Sequence, residues 1–222
     1  MKTVVEPTPG LSRARNKGWR AADGEFIAFT DDDCYPEENY LDAILACFKK
    51  DPLGFIGGRI LLYDQTDFPI TIQELDRRVE LRPGDFIPAG LIQGANFAFR
   101  RAALEKVNGF DDRMGPGTPF VCDDVEILAR LVANGYVGTY DPSPVVYHHH
   151  RRKSAAEVAS LAKSYDYGRG AYYAKCMLDP VMRKVYAKNW YRQIRNQSGL
   201  STFRETVGAI RFLAGSLSSQ GL

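Results

Sequence analysis

Ala22-Asp-Gly-Glu-Phe-Ile-Ala-Phe-Thr-Asp-Asp-Asp33 is the stretch on which the reading of this chain turns. The apolar run Glu25–Thr30 is too short for a helix and reads as a buried strand. Asp23-Gly24 punctuates it in front, and Asp31, Asp32 and Asp33 follow at its C-terminal end. Ligands of open α/β sheets bind at the carboxyl ends of strands. Three adjacent carboxylates repel one another unless a cation sits among them, and hard oxygen ligands favour Mg2+, Mn2+ or Ca2+ over zinc. On extended backbone Asp31 and Asp33 point one way and Asp32 the other. The plain alternative is a solvated acidic turn ahead of a helix, where carboxylates suit the N-terminal dipole.

Working outward, Leu11–Ala22 is rich in helix formers and predicts a helix. Downstream, a helix is expected over Glu37–Lys50 with Tyr40, Leu41, Ile44, Leu45 and Phe48 on one face, then a strand over Phe55–Leu62. Alternating helix and strand is the grammar of an α/β domain. Residues 64–90, with Pro69, Pro83 and Pro88, read as a connecting excursion with a short helix near Gln73–Leu81. A strand is predicted over Leu91–Arg100, one or two helical turns over Arg101–Val107, and a Gly- and Pro-rich loop over Asn108–Phe120. Asp123–Asn134 predicts an amphipathic helix closed by Gly135, followed by short strands at Tyr136–Tyr140 and Pro144–Tyr147. From Ser154 the pattern is helical and basic, with Gly168 and Gly170 expected to break it. Upstream of the aspartates only Thr3–Val5 offers a further strand, so the domain is expected to start partway through, with the aspartate-bearing strand central.

At 222 residues, 45% hydrophobic, the chain can bury one sizeable core. The expected division is a core over 1–150 and a helical extension over 151–222. The net charge of +2 hides an asymmetry: 13 Lys+Arg face 4 Asp+Glu from residue 151 onward, leaving 16 against 23 before it. The basic tail suits an anionic lipid surface or a phosphate-bearing substrate, and equally a solvated helical face. No apolar run reaches the roughly 18 residues of a membrane span. The start lacks a signal core, and Cys34, Cys47, Cys122 and Cys176 form no CxxC pair. A cytoplasmic protein with reduced thiols is expected, at the inner face of the membrane if the tail binds lipid.

Two further clusters carry chemistry. Asp123-Asp124 opens the amphipathic helix, where it serves either as an N-cap or as a general base toward an acceptor hydroxyl. The only histidines, His148, His149 and His150, follow a predicted strand, and alternation puts His148 and His150 on one face. Neutral imidazoles there can complete a metal shell or contact a phosphate; a basic turn into Arg151-Arg152-Lys153 is the plain reading.

The order of the blocks is more specific than any one of them. Gly10-Leu-Ser-Arg-Ala-Arg-Asn-Lys-Gly18, the aspartate segment, Gly94-Ala-Asn-Phe-Ala-Phe-Arg-Arg101, Gly109-Phe-Asp-Asp112, Cys122-Asp-Asp-Val-Glu126 with Arg130, Gly135-Tyr136 and Pro144-Val-Val-Tyr-His-His-His150 follow in series. That series resembles the family 2 glycosyltransferases of the GT-A fold over roughly residues 4–150. The resemblance implies an α/β nucleotide-diphospho-sugar transferase fold, a mostly parallel sheet flanked by helices, N-terminally truncated and with a helical C-terminal extension. It implies Asp31 and Asp33 as the metal-binding DxD, with Mn2+ or Mg2+ as cofactor, and His148, then His150, as the late histidine near metal or diphosphate.

By the same resemblance Arg15, Asp31 and Asp32 lie near the nucleotide, and Gly94, Ala95 and Asn96 line the donor-sugar pocket. Asp124 matches the catalytic base of inverting members, with Asp123 standing where glutamate is commoner. The implied partners are a nucleotide-sugar donor, a UDP-sugar first among them, and a glycan or lipid-linked acceptor, with no nucleic acid. The implied reaction is an inverting single displacement in polysaccharide or glycolipid synthesis, and Met114–Pro119 is expected to close over the donor. Val4-Val5-Glu6-Pro7 resembles the family's third strand, so the elements that usually hold the base and ribose are expected to be missing. A non-catalytic relative acting as a partner or glycan-binding subunit is the alternative.

Overall fold

The computed structural model describes residues 2–218. Met1 and the last four residues of the expected 151–222 extension lie outside them. Helix α1 (Leu11–Ala21) leads to β1 (Phe26–Phe29), β2 (Cys34–Pro36), α2 (Tyr40–Lys50) and β3 (Phe55–Leu62). Next come β4 (Val79–Leu81), β5 (Phe97–Arg100), α3 (Arg101–Lys106), α4 (Asp123–Ala133) and β6 (Gly138–His148). Three helices end the chain: α5 (Ala155–Leu178), α6 (Arg183–Asn196) and α7 (Gly199–Ser218).

The strands form one mixed sheet in the order β1-β5-β3-β6-β2, with β4 also pairing β6. The α/β class holds, but the expectation of a mostly parallel sheet needs refinement. Among the described residues only β3 and β6 pair in parallel, across the crossover that contains α4. Strands β1 and β3 run the same way, but β5 inserts between them antiparallel to both. The aspartate-bearing β1 is therefore an edge strand among the described residues, not a central one.

Period-two alternation sorts the sheet's side chains onto two faces. Ala98, Ile56, Ile60 and Val146 meet Ile44, Cys47 and Phe48 of α2. Phe55, Phe97, Phe99 and Tyr140 face the larger cluster built with α4 and α5. Burying roughly a dozen such aromatic and branched chains, each contributing about 1.5–3 kcal/mol, is what pins the sheet between its helices. On α2 the buried stripe is Tyr40, Ile44, Cys47 and Phe48, whereas Leu41 is 63% exposed. Leu41 and Leu45 thus lie on the outer flank, and Cys47 replaces them.

Other local expectations change. No helix forms at Gln73–Leu81; β4 forms there instead, against Gly138–Tyr140. The two predicted strands after Gly135 are one, β6, whose pairing with β3 shifts between Gly57 and Arg59. Asn96 braces that shift, donating its amide to the carbonyls of Arg59 (2.8 Å) and Pro144 (2.9 Å). Gly168 and Gly170 do not break α5. They bring its backbone against Val121 and Glu205, where a Cβ would collide. Glycine here is a contact surface between helices, and Gly208 of α7 meets Tyr167 in the same way. Thr3–Val5 is not a strand. Among the described residues no helix is long and apolar enough to cross a membrane.

Candidate active site

Helix α1 buries a polar stripe. Ser12, Arg15, Asn16 and Trp19 fall at i, i+3, i+4 and i+7 and all face inward. Buried polar groups require partners, and these have them. Asn16 exchanges hydrogen bonds with the Phe110 backbone and donates to Asp112. Ser12 Oγ donates to the Met114 carbonyl at 2.7 Å, and Leu11 N–H donates to the Pro116 carbonyl. The Met114–Pro119 loop is therefore fastened to the start of α1, and Met114 is fully buried.

Arg15 is the hub. Its guanidinium donates to Asp123 Oδ2 at 2.8 Å, to Asp31 Oδ1 at 3.2 Å and to the Gly94 carbonyl at 3.1 Å. It also lies over the rings of Phe97 and Phe110. Gly94 continues the chain of contacts, its N–H donating to Asp124 Oδ2 at 3.2 Å. A side chain at 94 would run into the Arg15 guanidinium, so glycine is what lets the backbone pass. Three sequence-distant segments thus meet: the aspartate turn, the Gly94 bend and the start of α4.

Asp123 and Asp124 take different environments. Asp123 is buried and neutralised by Arg15, with Ser12 Oγ also on Oδ2. Asp124 is half-buried, and besides Gly94 its carboxylate receives only the Val125 N–H, at 2.8 Å. Burial first, and then the Asp123 charge, push its pKa from the usual 3.8 up to about 6. Cys122, just before the pair, sits at a left-handed φ of 88°, which turns the chain sharply into α4.

The ladder β2–β6 pairs Cys34 with His148, and this register brings Asp33 beside the histidine strand. Asp33 Oδ1 lies 3.4 Å from His148 Nε2. The ligand atoms of Asp33, Cys34 and His148 all fall within 4.8 Å of one another. One carboxylate with one imidazole fits Mn2+ or Mg2+ when donor oxygens fill the remaining positions. The Cys34 thiol is a poorer candidate, since burial, and then Asp31 and Asp33, push it up to about 12.

The remaining predicted site residues lie apart. Asp32 is exposed, and Ala95 is buried in the cluster against α2. Asn96 spends both of its amide N–H groups within the sheet. His150 is buried behind His148, with Nδ1 3.7 Å from Asp67 and accepting from Arg152 N–H. Burial lowers its pKa, with the His148 charge second. Asp31 is turned to Arg15 rather than to the Asp33–His148 pair.

A cavity of about 300 Å3 opens in front of Asp124. Its walls include Thr71, Gln93, Tyr165 and Arg169, which sequence reasoning did not single out. Thr71 and Gln93 sit in an irregular connection, and Tyr165 and Arg169 in a helix whose basic character masked them. Ser12 and Asn16 were not singled out either, although with Arg15 they repeat at helical spacing, a signal that could have found them.

Residues 2–107 match the pattern of glycosyl transferase family 2. A pre-mycofactocin glycosyltransferase of Mycobacterium tuberculosis is 29% identical over 145 residues, covering 63% of this chain and 30% of that protein. The chain thus spans under a third of that relative's length. Among solved structures, the mannosyltransferase PcManGT from Pyrobaculum calidifontis, in complex with GDP-Man and Mn2+, superposes with a TM-score of 0.56 at 19% identity. It covers 96% of this chain and 56% of its own. S. aureus TarS 1-349 in complex with UDP-GlcNAc gives 0.54 at 14% identity, over 80% of this chain and 49% of its own. The sheet and its flanking helices share the fold of these transferases.

Proposed function

We infer, from a family 2 glycosyltransferase of GT-A fold, that this chain moves a sugar from a nucleotide-diphosphate donor to an acceptor hydroxyl by a single inverting displacement. The observation that carries the reading is the continuous link from Asp31 through Arg15 and Gly94 to Asp124. It fixes a donor-side acid and a base-side acid in one frame, as an in-line displacement requires. In this reading Asp124 accepts the proton of the attacking hydroxyl; a carboxylate poised near 6 is ionised at neutral pH yet still basic. Arg15 positions Asp31 and holds Asp123, and its low exposure keeps the frame rigid. Asp33 and His148 would hold a divalent cation, whose bound charge would stabilise the departing diphosphate.

The donor reading is supported by the nucleotide sugars bound to two structurally similar proteins, GDP-Man in PcManGT and UDP-GlcNAc in S. aureus TarS. The acceptor reading is a glycan or lipid-linked sugar of polysaccharide or glycolipid synthesis. We take the stretch from residue 151 onward, helical as far as Ser218 among the described residues, to touch lipid at the cytoplasmic face. Helix α6 holds five basic residues and no acidic one. Tyr191, Leu200, Phe203 and Ile210 are exposed nearby in sequence, a composition suited to an anionic interface.

Titration calorimetry with UDP and GDP, each with and without Mn2+, tests the central claim. Cation-dependent binding of one nucleotide, lost in Asp33→Ala, is expected. A folded chain that binds neither would overturn the transferase reading in favour of a non-catalytic partner subunit.

A further inference from the structure

The cavity in front of Asp124 has a wall that the displacement chemistry does not use. Tyr165 and Arg169 stand one turn apart on α5 and complete it opposite Thr71, Ile72 and Gln93. At about 300 Å3 it sits at the small end of the roughly 300–1,000 Å3 range of ligand pockets, which suits one six-membered ring rather than an extended chain.

Part of its hydrogen-bonding capacity is uncommitted. Gln93 spends its amide N–H groups on the carbonyls of Ile72 (3.0 Å) and Gly90 (3.3 Å). Its Oε1 accepts from no described residue. The Tyr165 hydroxyl likewise has no hydrogen-bond partner among the described residues, and its ring packs partly buried against the core. Burial, and then the neighbouring Asp124 charge, hold the phenol well above its usual range, so it stays a neutral donor. An acceptor, a donor and an aromatic face around one small space match a ring with a C–H face and a hydroxyl edge.

The charges around the cavity favour an uncharged guest. Arg169 is already matched, donating to Glu205 at 2.9 Å and pairing with Asp166. The strongest charge acting on Tyr165 is the Asp124 carboxylate, which disfavours phosphate, with Arg152 acting more weakly the other way. The cavity also borders the donor side, since Thr71 Oγ1 lies 3.4 Å from His148 Nδ1. Thr71 and Cys122, both on the wall, hold left-handed φ values of 54° and 88°. Backbone strain of this kind gathers at ligand clamps.

We propose that this cavity is the acceptor subsite and takes one uncharged pyranose residue, stacked on Tyr165 and hydrogen-bonded by the Tyr165 hydroxyl and Gln93 Oε1. The assignment rests on the transferase reading above and names the acceptor class for it.

Saturation-transfer NMR on the whole chain, with methyl glucopyranoside, galactopyranoside and mannopyranoside as probes, tests it. Glucose 6-phosphate serves as the charged control. Saturation of the ring protons of at least one methyl glycoside is expected, with the phosphate ester weaker. Tyr165→Ala should weaken that binding about five- to tenfold, and Tyr165→Phe and Gln93→Ala each by a smaller factor. Absence of saturation by every glycoside, stronger saturation by the phosphate ester, or wild-type binding in both Y165F and Q93A would overturn the subsite. The latter two variants keep the test decisive if Y165A does not fold. Nucleotide calorimetry on the same samples separates the two claims. Nucleotide binding without pyranoside binding defeats the subsite alone, and the reverse defeats the transferase reading.

Discussion

Arg15 and Asp123 lie 108 residues apart in the chain, yet their side chains meet at 2.8 Å, both almost entirely buried. The contact joins α1 to the first turn of α4 beneath the aspartate turn. A buried pair of this kind is weak evidence of net stabilisation, but breaking it is costly because the surviving charge has no water. Each partner also has a second bond to keep it in register, Arg15 to Gly94 and Asp123 to Ser12.

Arg15→Ala should therefore destabilise the fold by about 3–5 kcal/mol, a fall in Tm on the order of 10 °C for a chain of this size. Arg15→Lys should recover only part of this, since one ammonium cannot reproduce the planar fork that reaches Asp123, Asp31 and the Gly94 carbonyl together. Thermal unfolding of the three proteins by circular dichroism checks it. Equal Tm values for wild type and R15A would show that the pair is dispensable.

On the proposed mechanism Asp124 sets the acid limb of the pH profile. Its pKa is raised from 3.8 to about 6 by burial and by Asp123, with Arg15 opposing and Tyr165 facing it from α5. The ionised form is the base, so kcat/KM should rise with pH through about 6 and be about tenfold lower at pH 5 than on the plateau. Asp124→Asn should reduce turnover by about 10^2- to 10^4-fold while leaving nucleotide binding in place. A rate that is flat from pH 5 to 8 would remove Asp124 from the proton transfer.

Gly170→Ala places a methyl group against the Glu205 backbone, and Gly208→Ala does the same against Tyr167. Backbone cannot rotate out of the way as a side-chain end can, so each change should cost about 1–3 kcal/mol by overpacking. Urea unfolding would report the loss, and Gly199→Ala, where a methyl meets nothing, is the matched control. Indistinguishable midpoints would mean that α5 and α7 can separate freely.

Electrostatic attraction of α6 to lipid predicts that the chain sediments with vesicles containing anionic phospholipid and not with neutral ones. Raising the salt should release it, because surface charges separated by more than about 8 Å are screened at physiological ionic strength. Binding that ignores both lipid charge and salt would assign the contact to the exposed apolar residues instead.

What the sequence made legible was local and periodic. The helical spacing of α1 and α4, the apolar runs of β1 and β3, and the glycine that ends α4 all follow from neighbours a few residues apart. Strand β2 did not, being three residues long and containing Pro36. It exists because β6 offers a partner 112 positions later. The edge position of β1 was equally hidden, since strand order is a property of the assembled sheet. At the site, residue types and blocks were readable, but not which carboxylate meets which basic side chain. Asp31 turns to Arg15 and Asp33 to His148 because two ladders and a helix fix them so. Tyr165 and Arg169 were missed because in a basic, weakly patterned helix they carry no mark of facing a cavity.

Helix α5 performs several tasks within the eleven residues from Tyr165 to Lys175. Tyr165 borders the cavity, Gly168 and Gly170 admit foreign backbone, Tyr172 bonds Ile87 and Tyr186, and Lys175 pairs with Asp111 and Glu126. Its first ten residues, by contrast, are largely exposed. Evolution has little latitude in the second half: a substitution there disturbs two neighbours at once. Drift among relatives should accumulate upstream of Tyr165 and stall beyond it, leaving position 165 as the border where the cavity wall can change without rebuilding the helix.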